Sequence, residues 1–365
     1  MDASRHAHGA LLAGCLVAGL ACTSSAPPAT PASAPDAPAA VAAPAEAAPS
    51  ATAPAALTPV AIVYATTSAA NAFLQVAQDQ GLFEAHGLDV ELSYAAGNAT
   101  PAAVLSGQAQ AMVSGCIEAA SAYVGSGGNI AVFMQPVHRM QYLLASGPSV
   151  VTPSDLRGKR LAVSRIGSSS HLISRTIVRF VGLDPDNDVS YVQIGNTPER
   201  VAALIAGSVD ATILSLDEGA LVGNTPGMRV LVDMTREAVP YCTNSLAVTQ
   251  QFGRDQPDTV GRLTRALVEA IARFKRDKPV GLEATRRFLS DEDPQKVDSI
   301  WATWEGMYEQ KPYPDNAGLQ RVLDDAAASD TRLASVKAEQ INEPRWVAEL
   351  DQSGYLDQLY AGSVR

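Results

Sequence analysis

Cysteine is scarce, with four in 365 residues, and none stands in a C-x-x-C or similar spacing that would mark a thiolate metal site. Positive charge is also short. The 27 Lys and Arg are outnumbered by 38 Asp and Glu, giving a formal net charge of −11. The clustered cations that grip a phosphate backbone are therefore missing, which excludes nucleic acid as a partner. No nucleotide loop, catalytic triad or hydrolase elbow can be read, so neither a cofactor nor a metal is expected. Beyond the N-terminus no apolar run approaches the roughly 20 residues that cross a bilayer. What is present is enough for a large core: 47 % of residues are hydrophobic and 18 % charged, and the length predicts two domains.

The N-terminus reads MDASRHAHGALLAGCLVAGLAC, one arginine (Arg5) before an apolar stretch from Ala10 to Ala21. This is the pattern of a secretory signal, assigned to residues 1–22. LLAGC and GLAC both resemble the lipobox of bacterial lipoproteins, whose cysteine becomes the acylated mature N-terminus. Leu12-Ala13-Gly14-Cys15 fits the motif better. Cleavage before Cys15, however, leaves only Ala10 to Gly14 as apolar core, short of the roughly 7–15 residues a signal uses. Cys22 is therefore the expected lipidation site and Cys15 the alternative, and an ordinary cleaved signal without lipid is the third reading. Residues 23–56 are almost wholly Ala, Pro, Ser and Thr, with Asp36 and Glu46 as the only charges. Such a segment forms no core and acts as an extended tether, so folding is expected to start near Leu57.

From there the pattern is α/β. Pro59 to Tyr64 is a short apolar run suited to a buried strand. Ser68 is placed to cap a helix carrying Phe73, Leu74 and Ala77. Leu88 to Tyr94 alternates strictly, as a half-buried strand does. Thr100-Pro101 opens a short helix, Gly107 stops it, and Ala111 to Val113 is a strand. Strand, helix, strand, helix, strand demands parallel pairing through crossovers. The series then recurs: strand Arg160 to Ser164, helix Ser169 to Val181, strand Val189 to Ile194, a helix opened by Thr197-Pro198 and ended by Gly207, strand Ala211 to Leu214.

AAVLSGQAQAMV (Ala102 to Val113) lies over AALIAGSVDATI (Ala202 to Ile213) with Ala102/Ala202, Ala103/Ala203, Gly107/Gly207 and Ala111/Ala211 matched. Duplication and the shared grammar of short α/β units explain this equally well, and both give two lobes. Ile130 to Met134 with Tyr142 to Ala145, and Cys242 to Val248, read as two segments crossing between them. The lobes are expected at 57–145 with 242–365, and at 146–241. Asp258 to Lys275 reads as a long amphipathic helix, and the segments with Trp301, Trp304, Leu319 and Val322 as helices returning to the first lobe. Trp301 and Trp304 are expected in the core.

GLFEAHGLDVEL, LSGQAQAMVSG, DLRGKRLAVSRIGSSSHLI and AALIAGSVDATIL, in that order, resemble solute-binding proteins of ABC importers for nitrate, sulfonates, taurine and thiamine precursors, the SsuA/THI5-like group. The resemblance covers about Ala61 to Phe288. It implies a type II periplasmic-binding-protein fold, two Rossmann-like α/β lobes with a ligand cleft between them. It further implies a monomer that delivers a small-molecule ligand to an ABC permease in the membrane. The family fold also includes pyrimidine-precursor synthases, which carry a cysteine-rich motif in their later part; here only Cys242 follows Cys116, so binding ranks ahead of catalysis. A sensor domain without transport is the remaining alternative.

In such a cleft the turn after Ser164 is the leading candidate. Arg165-Ile166-Gly167 followed by Ser168, Ser169 and Ser170 at a helix start offers backbone N–H groups and hydroxyls at the positive end of a helix dipole, an anion cradle. Capping their own helix is the competing use of these serines. Thr66, Thr67, Ser68 and Asn71 form a comparable turn in the first lobe. Asn98, Cys116 with Glu118, Asn196, and Ser215 with Asp217 and Glu218 stand at other strand ends, where ligands of open α/β sheets sit. Glu118 and Asp217 suit an amine or a ring nitrogen, or are solvated acids at helix starts, so the ligand's charge stays open. Cys116 and Cys242 either bridge or remain separate thiols. His171, after the serine turn, is expected on a helix surface.

Overall fold

The computed structural model describes residues 56–362 apart from 96–98, 220–221, 223–224 and 238. The expected signal, the tether up to residue 55, Cys15, Cys22 and Asn98 lie outside the described residues. Among the described residues, no helix is long and apolar enough to cross a membrane.

Along the chain run β1 (Thr58–Tyr64), β2 (Leu88–Tyr94), β3 (Ala111–Ser114), β4 (Ala131–Met134), β5 (Tyr142–Ser146), β6 (Lys159–Val163), β7 (Val189–Gln193), β8 (Ala211–Ser215), β9 (Arg229–Asp233) and β10 (Ser245–Val248). They form two five-stranded sheets, ordered β2-β1-β3-β10-β4 and β7-β6-β8-β5-β9. β1 pairs parallel with β2 and β3, and β6 parallel with β7 and β8. In each sheet the fourth strand is antiparallel to both neighbours: β10 in the first, β5 in the second. Each of these strands arrives from the other sheet.

Tyr142 to Ala145, expected with the first lobe, therefore belongs to the second. Its carbonyls and amides pair with β8 and β9, and the crossing itself is residues 135–141. The return crossing, 234–244, runs beside it: Arg139 and Pro240 form an antiparallel bridge, and the Tyr241 amide donates to the His138 carbonyl at 3.1 Å.

The helices of the repeated units are α1 (Ala72–Asp79), α2 (Leu82–Ala85), α3 (Ala99–Leu105), α4 (Cys116–Gly125), α5 (Ser169–Phe180) and α6 (Thr197–Ile205). The matched segments take matched roles. α3 and α6 end at Gly107 and Gly207, with φ of +79° and +69°, a left-handed conformation that glycine adopts without steric cost. Ala111 and Ala211 then begin β3 and β8, central in their sheets. In β2 the alternation holds for Leu88 and Val90, which are buried, but Tyr94, at the far end of this edge strand, is exposed, its ring 5.9 Å from that of Tyr64.

After β10 the chain is helical. The long helix is Pro257–Arg276, and with α1, Lys278–Leu289, Pro294–Met307 and Arg345–Gln352 it builds the core behind the first sheet. Trp304 is fully buried there, and Trp301 packs partly buried against it. The helix Asn316–Ala327 does not return to the first lobe alone, as Leu319 and Val322 had suggested. It packs against both α4 and α5, and Asp325 accepts bonds from Thr176 Oγ1 and, at 2.5 Å, Arg179 Nη1 of the second lobe.

Candidate functional site

Strand C-termini and helix starts from both sheets converge on a cavity of about 470 Å³. From the first lobe come the turn Thr66, Thr67, Ser68 after β1, and Gly115 and Glu118 after β3. From the second come Ser169 and Ser170 of α5, Thr197 and Arg200 of α6, and Ser215 and Glu218 after β8. The crossings contribute Gln141, Thr243 and Asn244, and β5 contributes its first residue, Tyr142. The convergence follows from topology, since parallel strands put all their βα turns on one edge.

The Thr66 turn is fixed from below. Ser68 Oγ accepts from the Ala70 amide at 3.2 Å, which makes it a cap as expected. Asn71, fully buried, donates its side-chain amide to the Thr66 carbonyl at 2.9 Å and accepts from Asn244 Nδ2 at 2.8 Å. Asn71 thus holds the turn against the second crossing but does not border the cavity.

The serine turn does not cap its helix, the competing use expected of it. Gly167 has φ of +82°, but Ser168, the residue before the helix, makes no side-chain cap. Its hydroxyl donates to the Arg165 carbonyl at 2.6 Å. Ser164, Ser168 and Ser170 hydroxyls lie 2.8–3.0 Å from one another, and Ser170 Oγ also accepts from the Ser164 amide. Ser169 Oγ donates to Glu118 Oε1 at 2.9 Å, a bond between the lobes. Three adjacent hydroxyls satisfy each other because the tight turn brings them closer together than to the first-turn amides. Ser168 and Arg165 do not border the cavity.

Glu118 is the most distinctive group. Oε1 holds Ser169, whereas Oε2 is buried with no partner. Burial pushes its carboxyl above the ordinary value, and its backbone hydrogen bond, Ser169 and the charge of Arg165 only partly oppose this. Oε2 packs against Gly115, where a Cβ would stand 2.2 Å from it and force the carboxylate to move. Two further polar atoms at the cavity, Gln141 Nε2 and Thr243 Oγ1, are also buried without partners.

Sequence reasoning missed Arg200, Thr197, Gln141, Tyr142, Thr243, Asn244, Leu289 and Trp304 as lining residues. Arg200 is 6 % exposed and bonds only neutral oxygens: Thr212 Oγ1, the Gly195 carbonyl and Thr197 Oγ1. Burial lowers its pKa, and the nearby negative charge of Glu218 is the main opposing influence. A signal was available: a cation in the first turn of α6 opposes the helix dipole, so its placement needs another reason. Asn196 is instead consumed by the α6 capping box with Glu199, and Thr197 next to it reaches the cavity. Ser215 and Glu218 form a second capping box at the cavity wall; the Asp217 side chain lies outside the described residues.

Cys116 is bonded to Cys242, with Cα atoms 5.7 Å apart, so its sulfur is no ligand group. The bridge joins the first residue of α4 to the return crossing, next to Thr243. His171 is 5 % exposed, not on the surface. Its ring stacks edge-on with Tyr191 and Nδ1 accepts from the Gly167 amide at 3.0 Å, and burial lowers its pKa. It stabilises the turn from behind. Among the described residues, no group of three or more His, Cys, Asp or Glu is placed to hold a metal ion.

Residues 69–278 match the protein family described as NMT1/THI5 like. No curated protein matches by sequence. Among solved structures, a putative sulfonate ABC transporter periplasmic sulfonate-binding protein, SsuA from Methylobacillus flagellatus KT, superposes with a TM-score of 0.66 at 18 % identity, over 82 % of this chain and 96 % of that one. The periplasmic nitrate-binding protein NrtA from Synechocystis PCC 6803 gives 0.65 at 13 % identity, over 84 % and 92 %. A Candida albicans gene product with the generic periplasmic binding protein fold gives 0.62 at 15 % identity, over 79 % and 96 %. At such identities the likeness is one of fold, and that fold is the two-lobed, type II periplasmic-binding-protein architecture.

Proposed function

Because the chain belongs to the NMT1/THI5-like family, we propose that it is an extracytoplasmic solute-binding protein that captures a small polar organic solute between its lobes and delivers it to an ABC importer. The observation that carries this is the cavity. Both lobes and both crossings line it, and three of the residues that border it, Glu118, Gln141 and Thr243, each bury a polar atom without a partner. Buried polar groups are normally satisfied, so polar groups left unpaired around a cleft shared by two lobes fit a site built to hold a polar solute. The names of similarly folded proteins, a sulfonate-binding and a nitrate-binding protein of transport systems, support the same reading.

The protein acts as a monomer with lobes near 57–141 with 242–365, and 142–241, which close on ligand by bending at the paired crossings. In this reading the protein binds rather than catalyses: Cys116 and Cys242 near the cleft are held in a disulfide, and the serine hydroxyls are bonded to one another or to Glu118. The disulfide fits an oxidising, exported location, and Cys22, or alternatively Cys15, carries the lipid anchor. Native mass spectrometry of protein purified from its exported location tests solute capture; a co-purified small molecule lost on unfolding is expected, and protein that binds no small molecule under any condition would overturn it. Fatty-acid labelling of wild type and Cys22→Ala tests the anchor, with label expected only in the former.

A further inference from the structure

Three successive amides shape the turn between β6 and α5, and each has a partner. The Ile166 N–H donates to Gln193 Oε1 at 2.9 Å, the Gly167 N–H to His171 Nδ1 at 3.0 Å, and the Ser168 N–H to the Arg165 carbonyl at 3.1 Å. Of these acceptors only the imidazole takes up a proton between pH 5 and 8. Resting on the solute-binding reading above, we infer that His171 is an acid-released latch: a proton on Nδ1 occupies the lone pair that holds Gly167, frees the turn, and so loosens Ser169 and Ser170 at the cavity wall.

The bond and the proton exclude each other. A neutral ring that accepts at Nδ1 carries its hydrogen on Nε2, whereas a protonated ring donates at both nitrogens, so the Gly167 N–H would then face a second N–H. The ring has little room to turn away, being 5 % exposed and edge-on to Tyr191 with centroids 4.6 Å apart. Around it stand Arg175 one turn along α5, Asp186 in the loop before β7, and Tyr191 on β7. Arg179 and Asp184 lie behind these, acting on Tyr191, and the turn's own charge, Arg165, acts on Glu118. Arg175 and Asp186 are joined by bonds of 2.5 and 2.8 Å, so their charges largely offset each other at the ring. Burial is the main influence that lowers the ring's affinity for a proton, with Arg175 adding to it and Asp186 opposing. The latched ring therefore binds protons less well than a released one of ordinary value 6.5, so the latch is complete above that pH and is lost as pH falls below it. Ser169 Oγ donates to Glu118 Oε1 across the lobes, and both Ser169 and Ser170 line the cavity, so solute capture weakens in acid.

Hydrogen exchange of residues 164–172, read by mass spectrometry at pH 7.5 and 5.0, tests the latch. Wild type is compared at each pH with His171→Phe, which keeps a ring but has no acceptor, so the intrinsic effect of pH on exchange cancels. At pH 7.5 wild type is expected to exchange about three- to tenfold more slowly than His171→Phe, the worth of one neutral hydrogen bond, and at pH 5.0 the two should converge. His171→Asn, whose side-chain oxygen accepts without titrating, should hold the protection at both. A ratio of wild type to His171→Phe that is the same at both pH values, or no protection over His171→Phe at pH 7.5, overturns the inference. Imidazole nitrogen shifts of the wild-type protein give a reading that needs no variant: proton uptake at His171 is expected only below pH 6.5, and uptake at or above that value overturns the latch. Neither readout involves a solute, so failure of the latch leaves solute capture standing, and a protein that captures nothing leaves the latch to be judged on the same two measurements.

Discussion

In the first sheet β1 lies between β2 and β3, in the second β6 lies between β7 and β8, and each sheet is completed by an antiparallel strand from across the hinge. What surrounds the two sheets differs. Behind the first sit the aromatic contacts of Phe73, Phe274, Trp304 and Tyr308, with Tyr308 at 5.7 Å from Phe73 and 5.0 Å from Phe274. The outer core of the second is Ala145, Ala162, Val201, Leu204, Val209, Leu214 and Val222, with no aromatic ring. Phe180, Ile205, Val230 and Ile166 of that lobe stay exposed. The shared plan aims loops at the cleft, and the added helices make the first lobe the anchor. The second lobe is held chiefly at its base, by the paired crossings, the disulfide and the helix Asn316–Ala327.

The sharpest way to break this comparison is to hollow each core in turn. Phe274→Ala should lower unfolding free energy by about 3–5 kcal/mol, whereas Leu204→Ala should cost about 2 kcal/mol, because a thin core at the surface collapses more readily around a gap. Urea unfolding of both variants decides it, and equal losses would deny the asymmetry.

The disulfide comes next. Its partners are 126 residues apart, and the loop it closes contains all of β5 to β9. Replacing both Cys116 and Cys242 with Ala should cost about 2–4 kcal/mol. Because Glu118 and Thr243 flank the bridge, ligand affinity should fall as well. Chemical unfolding and titration of the double variant against wild type measure the two effects.

A smaller effect is expected at the contact between lobes. Asp325, 7 % exposed, takes bonds from Thr176 and Arg179, so Asp325→Ala should cost about 1.5–3 kcal/mol. Amide exchange should accelerate in α5 more than in α1, whereas uniform acceleration would mean that the contact does not tie the lobes specifically.

The smallest effect has the opposite sign. A buried acid whose pKa is raised holds its proton more tightly when folded than when unfolded, so stability falls as pH rises from about the ordinary value of 4.5. Glu118→Gln should therefore melt higher than wild type near neutral pH and converge with it near pH 4. Parallel curves across that range would show that Glu118 carries no strain.

Much of the fold was legible because it is locally written. Strand alternation at Leu88 and Val90, glycine stops at Gly107 and Gly207, and Thr-Pro helix starts depend on residues a few positions apart, and local sterics enforce them. The site was partly legible for the same reason: Thr66, Thr67, Ser68, Glu118, Ser169, Ser170 and Ser215 were singled out as residues at strand ends, and all line the cavity. Asn196 and Ser168 occupy equally suitable local positions, yet each is spent on a neighbour.

By itself the sequence determined the two α/β units, their turns and the set of polar residues that the turns display, since short-range periodicity and backbone preference suffice for that. Only the tertiary structure decided the rest. It placed β5 in the second sheet, paired Cys116 with Cys242, bonded Arg200 to neutral oxygens, and gave Ser169 to Glu118 across the cleft while burying Glu118 Oε2, Gln141 Nε2 and Thr243 Oγ1 without partners. Those outcomes depend on which distant groups come within about 3 Å of one another, and hydrogen bonding at that range is a property of the assembled lobes rather than of any stretch of chain.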